Sequence, residues 1–390
     1  MNRDFVFHNP TKIYFGRHSM LHLEDELKKY GPNVLLAYGG GSIKTNGIYD
    51  EVIKALNNTN KNIVEFSGIM PNPTLAKMKE GMELVRTNKI DLILAVGGGS
   101  VIDLAKGVSV STYARGDAFE RYWLKREEVD NDVVPVGAIL TMTGTGSEMN
   151  GGSVITDEKR MIKVGRVFTS FAFPKFAILN PTYTFTVSHY QMCSGIFDAF
   201  SHMMEQYFSD FDNPVTDYVL ESLMRALIDA SDIAIKDHED YEARSNIMWI
   251  STLALNTITG LGKTQDWEVH AIEHQISAFT NCAHGMGLAA ISPAYYRYIL
   301  PFGLPKFKRF AINVFNIDPR GKTDEDVARE GIDALDKYII DHDMPNSLRK
   351  LGVERTLLSK IADSVSLGGG YKKLTREDVY AILFNAYGNE

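Results

Sequence analysis

The chain has 390 residues, of which 44% are hydrophobic, 23% charged and 11% aromatic. That balance excludes a disordered, collagen-like or fibrous protein, and a chain of this length buries enough surface to fold without disulfides or a structural metal. The formal net charge is −8; nucleic acid and anionic membrane recruit basic surfaces, so neither is an expected partner.

Short apolar runs alternate with helical patterns in the first part of the chain. Residues 33–38 (NVLLAY), 62–66 (NIVEF), 91–96 (DLILAV) and 134–140 (VPVGAIL) read as buried strands that stop at glycine or polar clusters. Residues 48–56 and 74–88 carry helical periodicity between them. Strand–helix–strand alternation predicts a parallel sheet covered by helices. Residues 153–157 and 176–180 add strands, and residues 181–188 lie at a boundary. Beyond it the pattern is nearly all helical, at 189–208, 215–230, 241–258, 324–341 and 375–388. The expected fold class is an α/β N-terminal domain, residues 1–185, followed by an all-α C-terminal domain, residues 186–390, with a ligand cleft between them.

The two cysteines, Cys193 and Cys282, make no disulfide framework, as befits a reducing compartment. The opening residues MNRDFVFHNP lack the apolar core of a signal peptide. The longest apolar stretches fall short of the roughly 20 residues a membrane helix needs. A cytoplasmic location is therefore expected.

LLAYGGGS (35–42) and LILAVGGGS (92–100) share one shape: an apolar strand, three glycines and a serine. A strand–glycine–helix turn aims backbone N–H groups and a positive helix end at one point, where phosphate binds. Neither loop matches GxGxxG, since Ile102 stands where the third glycine would be. TMTGTGSE (141–148) is a third small, hydroxyl-rich loop after a strand. Two such glycine loops point to a nucleotide; a single one would read equally as a turn.

Asp198 and His202 are four residues apart in a helical stretch, as are His270 and His274, and His284 follows. Residues four apart share one helix face. Aspartate and histidine inside an apolar pattern are costly to bury unless paired or metal-bound, so a divalent metal held by imidazoles and one carboxylate competes with ordinary hydrogen-bonded burial. A rival motif overlaps: residues 270–274 fit H-x-x-E-H, a zinc-protease pattern with Glu273 as base. That pattern is short and leaves the glycine loops unexplained.

The separated motifs GGGSVIDLAK (97–106), TGTGSEMN (143–150), GIFDAFSHMMEQY (195–207), DWEVHAIEHQISA (266–278) and AHGMGLA (283–289) occur in one order along nearly the whole chain. In this the chain resembles the iron-containing (group III) alcohol dehydrogenase family, nearest its butanol dehydrogenase and NADPH-dependent aldehyde reductase type. The resemblance implies a dehydroquinate synthase-like fold. It places metal ligands on Asp198, His202, His270 and His284, and it puts His274 near nicotinamide and substrate, where it is the candidate proton relay. It places dinucleotide contacts on Gly98, Gly99, Ser100, Asp103, Thr141, Met142, Asn150, Gly152 and Lys163, with Asn72, Tyr183 and Thr186 as weaker matches.

Family members that use NAD(H) often carry an aspartate after the strand at 33–38. Here Gly39, Gly40, Gly41 and Ser42 occupy that stretch, which favours NADP(H) over NAD(H). The implied activity is hydride transfer between NAD(P)H and a small aldehyde or primary alcohol, with Fe²⁺ or Zn²⁺ as Lewis acid. Phe197, Trp267 and Phe279 read equally as substrate-pocket lining and as core. Two rival functions remain in view: a dehydroquinate synthase-like lyase on the same fold and a non-catalytic nucleotide-binding protein. Apolar neighbours around the ligands argue for small uncharged substrates. Relatives also imply a homodimer, with N-terminal strands near KIYFG pairing.

Overall fold

Strands β1 (Lys12–Phe15), β2 (Asn33–Tyr38), β3 (Asn62–Phe66), β4 (Leu92–Gly97), β5 (Val136–Leu140) and β8 (Phe176–Leu179) form one sheet, in the order β1-β8-β5-β4-β2-β3, in the computed structural model, which describes residues 4–388. Every pairing in this sheet is parallel. Strands β6 (Gly152–Asp157) and β7 (Ile162–Val167) form a separate antiparallel hairpin. The chain divides into two units: His8–Val187, and Met1–Phe7 with Ser188–Glu390.

The first unit holds the sheet and helices α1 (Leu23–Leu27), α2 (Ser42–Thr45), α3 (Ile48–Asn58), α4 (Leu75–Asn88) and α5 (Gly99–Ser111). β2 and β4 are apolar at nearly every position because helices cover both faces. On one face Val34, Leu36, Leu92, Leu94 and Val96 share a core with Leu23 and Leu27 of α1 and Ile48, Val52 and Leu56 of α3. The alternate residues Leu35, Ala37, Ile93 and Ala95 face the other way and are fully buried; α5 packs along β4 there. Thr74 caps α4 by accepting from the Lys77 N–H at 3.2 Å.

The second unit holds α6 (His189–Tyr207), α7 (Pro214–Ala234), α8 (Tyr241–Ala254), α9 (Glu268–Thr280), α10 (His284–Ile299), α11 (Leu304–Phe315), α12 (Asp324–Asp341), α13 (Leu358–Ser364) and α14 (Arg376–Tyr387). Every residue of α6 from Met192 to Tyr207 is buried, so it is a central helix without a wet face. It packs against α10. A Cβ at Gly285 would lie 1.8 Å from the Ser194 carbonyl oxygen, so only glycine allows the backbones of α10 and α6 to approach this closely. α8 ends at Ala254 rather than at 258, because the backbone leaves helical geometry at Leu255, with φ −141 and ψ 38. Capping boxes at Thr323/Asp326 and Thr375/Asp378 start α12 and α14. No helix among the described residues is long and apolar enough to cross a membrane.

Candidate functional site

Two helices and the start of a third bring four predicted side chains to one point in the helical unit. Asp198 and His202 lie one turn apart on α6, His270 is on α9, and His284 is the first residue of α10. The Asp198 Oδ1 oxygen is 3.4 Å from His202 Nε2, 3.7 Å from His270 Nε2 and 3.5 Å from His284 Nε2. The His202 and His270 rings stack with centroids 4.8 Å apart, and the His284 ring is 5.0 Å from that of His270. Asp198 Oδ1 and His270 Nε2 are buried without a hydrogen-bond partner. Buried polar atoms are rarely left so, and a divalent cation among three imidazole nitrogens and a carboxylate oxygen would satisfy both. The donor set suits Fe²⁺ or Zn²⁺.

Two further carboxylates aim the rings. His270 Nδ1 hydrogen-bonds to Glu205, and His284 Nδ1 to Glu273. Both glutamates are fully buried. These Nδ1 contacts turn each Nε2 toward Asp198, the arrangement by which carboxylates orient metal-binding imidazoles. Glu205 is itself fixed at the start of α9 by the N–H groups of Val269 (3.0 Å) and His270 (3.2 Å). Glu273 also accepts from Ser277, and Gly287 makes room for it: a Cβ there would lie 2.8 Å from the Glu273 side chain.

Sequence reasoning passed over Glu205 and met Glu273 only as a protease base. The signal was available: each lies three residues after a candidate ligand, on the same helix face.

The field of this cluster attracts cations. Burial opposes a charge on His270, yet Glu205 and Asp198 push its pKa up to about 10. Burial likewise opposes ionisation of Asp198, and the imidazoles of His202, His284 and His270 overcome it, holding the carboxyl well below its usual range. Burial and Glu205 raise Asp266 to about 7; burial, Asp266 and Glu205 raise Glu268 to about 8.

His274 is half-buried, its ring 6.2 Å from His270 and 5.5 Å from His284. Ligand atoms of Glu273, His274 and His284 lie within 4.8 Å of one another, which makes a second, overlapping group of donors. The protease pattern needs Glu273 available as a base, whereas here it is buried on His284 and Ser277. Cys282 is partly buried beside Ser277. Phe197 is fully buried in helix packing, while Trp267 and Phe279 are only half-buried.

In the α/β unit the three loops leave the carboxyl ends of three adjacent parallel strands: residues 39–42 follow β2, residues 98–100 follow β4, and residues 141–147 follow β5. The connection order reverses between β2 and β4, since β3 lies outside β2 and β5 outside β4. Ligands of open α/β sheets bind at such a switch point. Gly40 and Gly41 have open space where a Cβ would be, and Gly41 has φ +110. Gly99 and Ser100 open α5. Thr141 N–H donates to the Gly97 carbonyl at 3.1 Å, which holds the β4 and β5 loops together.

The side chains implied by the family resemblance fall into local groups. Asp103 accepts from Ser147 Oγ and, at 2.9 Å, from the Val154 N–H. Asn150 donates to the Gly146 carbonyl at 2.9 Å and accepts from the Gly152 N–H at 2.8 Å. The fully buried Lys106, which sequence reasoning did not single out, donates to the carbonyls of Ser147 (2.9 Å) and Asn150 (3.1 Å). Lys163 faces Thr156 across the hairpin, and Thr156 bridges Thr74, close in sequence to Asn72. Tyr183 donates to Glu51, and the Asn46 amide and Thr186 hydroxyl are 3.3 Å apart.

Close approach to a phosphate is not the only reason for glycine at 98 and 99. A Cβ at Gly99 would lie 2.3 Å from Thr145, and one at Gly98 would lie 3.1 Å from Met142. Gly99→Ala is expected to displace the 141–147 loop and to weaken nucleotide binding by about tenfold or more, since small misplacements are costly in a preorganised site; titration of the purified variant with NADPH measures it, and unchanged affinity would refute the packing argument.

Comparison with known proteins bears on the family and the fold. Residues 10–181 match the model of iron-containing alcohol dehydrogenases, and residues 192–387 match that of the C-terminal part of the Fe-containing alcohol dehydrogenase family. The chain is 39% identical to NADH-dependent butanol dehydrogenase A of Clostridium acetobutylicum, over 98% of this chain and 99% of the relative. It is 35% identical to the NADPH-dependent aldehyde reductase YqhD of Escherichia coli, over 83% and 82%. The crystal structure of NADH-dependent butanol dehydrogenase A from Thermotoga maritima superposes with a TM-score of 0.94 at 36% identity, covering 98% of both chains. With both halves matched in order by the two family models, the chain belongs to the iron-containing alcohol dehydrogenase family.

Proposed function

We propose that this protein is a metal-dependent oxidoreductase that interconverts a small aldehyde and its primary alcohol with a nicotinamide coenzyme. One observation carries the reading: a single buried carboxylate oxygen faces three imidazole Nε2 atoms at 3.4–3.7 Å, two of them backed by buried glutamates. In this reading Asp198, His202, His270 and His284 hold the cation. The residues at 40–42 and 98–100, with Asp103, Thr141, Met142, Asn150, Gly152, Lys163, Asn72, Tyr183 and Thr186, build or brace the coenzyme site.

The bound cation supplies Lewis acidity and the nicotinamide supplies the reducing equivalent. The rest is the work of this chain. Glu205 and Glu273 hydrogen-bond to Nδ1 of His270 and His284 and so turn each Nε2 toward Asp198. The Thr141–Gly97 and Lys106–Asn150 contacts hold the turns in shape, so little is spent on ordering when the coenzyme binds. His274, beside His284, is placed to pass a proton to and from the substrate oxygen. The lyase alternative is not favoured: the relatives are named for dehydrogenase and reductase activity, and Asp198, Glu205 and Glu273 pair with histidines.

NADP(H) is the proposed preference. No carboxylate stands at residues 39–42, and Glu65 on the neighbouring strand is engaged by Tyr38, Tyr49 and Lys44. Relatives of both kinds exist, so titrating NADPH against NADH decides it: a lower Kd for NADPH is expected, and a lower Kd for NADH would reverse the assignment.

A homodimer is proposed through β1, which among the described residues pairs with β8 on one side only; a monomer mass by light scattering would end that idea. The activity itself is tested by following NADPH absorbance with butanal and added Fe²⁺ or Zn²⁺. Loss of absorbance that requires both aldehyde and metal is the expected result, and no loss with any aldehyde would overturn the proposal.

A further inference from the structure

Trp267 sits in a backbone conformation that bulky residues rarely adopt, φ +67 and ψ 13, immediately before α9. Such a conformation persists only where the surroundings hold it, and it concentrates at functional sites. Several contacts hold it here. The indole Nε1 donates to Gln265 Oε1 at 2.7 Å, and the Asp266 N–H donates to the Glu205 carbonyl at 2.9 Å. Lys263, upstream in the same loop, is buried in an ion pair with Asp217 at 2.6 Å. The indole is thereby presented on a fixed loop, with its centroid 5.4 Å from the His270 ring and 6.0 Å from the His202 ring. It is half-buried, so part of the side chain reaches solvent, whereas Phe197 is fully buried.

We propose that Trp267 is the specificity-determining wall of the substrate site, and that it selects unbranched, uncharged aldehydes. This rests on the aldehyde–alcohol reading above. A carbonyl oxygen directed at the donor cluster brings the carbon next to the carbonyl group alongside the indole, where an extra methyl on that carbon meets a ring held on a fixed loop. A slender alkyl chain instead gains an apolar surface. Glu205, Glu273 and Asp198 are buried carboxylates around the cluster that pair with histidines, so these pairs offer no lysine or arginine partner to an anionic substituent.

The test compares kcat/KM for butanal and 2-methylpropanal in the wild type and three variants. W267G suits a positive φ and removes the ring; W267L removes the ring but keeps an apolar side chain; W267F keeps a ring. The wild type should prefer butanal by about tenfold or more, the range a single methyl can command in a shaped pocket. W267G and W267L should bring the ratio to within about threefold, and W267F should largely retain it. A second reading is independent of turnover: adding Zn²⁺ to metal-free protein should change tryptophan emission in the wild type and not in W267F, which keeps Trp123 and Trp249.

An unchanged aldehyde ratio in W267G or W267L with wild-type metal content overturns the proposal while leaving the oxidoreductase reading intact. So does a Zn²⁺-dependent emission change that survives in W267F. A wild type that reduces neither aldehyde overturns the parent reading, and this one with it.

Discussion

His202→Ala should lose bound metal and aldehyde reduction together, with turnover falling by about a thousandfold or more, because Lewis-acid stabilisation is worth several kcal/mol and each 1.4 kcal/mol is a factor of ten. His202 supplies the nitrogen nearest Asp198 Oδ1, at 3.4 Å, from the middle of a helix buried on every side. Removing the ring leaves a carboxylate and two imidazoles, and the space it vacates in α6 is closed to solvent. The variant should still fold, since the missing ring makes a small cavity rather than stranding a backbone group. Metal analysis alongside NADPH oxidation reads both effects. Full activity in metal-free His202→Ala protein would remove the Lewis-acid role from the account.

Glu205 has two functions that substitution can separate. Its carboxylate accepts from the backbone N–H groups of Val269 and His270 and from the His270 ring. Glu205→Ala strands these donors in a buried site, at about 1–3 kcal/mol for each one left unsatisfied. With three donors stranded, a loss of about 3 kcal/mol or more in the stability of the metal-free protein follows, readable by denaturant unfolding. Glu205→Gln keeps an acceptor for the backbone but removes the carboxylate from His270 Nδ1. Metal affinity should then fall by about 10–100-fold with little change in unfolding, measured by competition with a chelator. If both variants bind metal as the wild type does, the aiming role given to Glu205 is wrong.

The sequence made some of this legible and hid the rest for physical reasons. β2, β4 and β5 could be read because strands covered on both faces are continuously apolar. β1 was visible only through the family resemblance: its four residues begin with an exposed lysine and pair on one side. β7 carries Lys163, Gly165 and Arg166, which break any strand pattern. α10 was obscured by Gly285, Gly287 and Pro293; the first two are there for the approach to Ser194 and for the room Glu273 takes.

The ligand candidates stood out because aspartate and histidine one turn apart in an apolar helix demand an explanation. Glu205 and Glu273 did not, because a glutamate on a helix ordinarily reads as a solvated face, and only coordinates reveal that these two are buried behind imidazoles. Lys106 was hidden in the same way: within GGGSVIDLAK it looks like a helix-surface lysine, yet it is fully buried against the 147–150 backbone.

The most direct test is a crystal of the protein reconstituted with Fe²⁺ or Zn²⁺, with the cation located by anomalous scattering. One cation at about 2.0–2.2 Å from an Asp198 oxygen and from Nε2 of His202, His270 and His284 is the predicted result. A cation held instead by Glu273, His274 and His284, or none in the helical unit, would contradict the account.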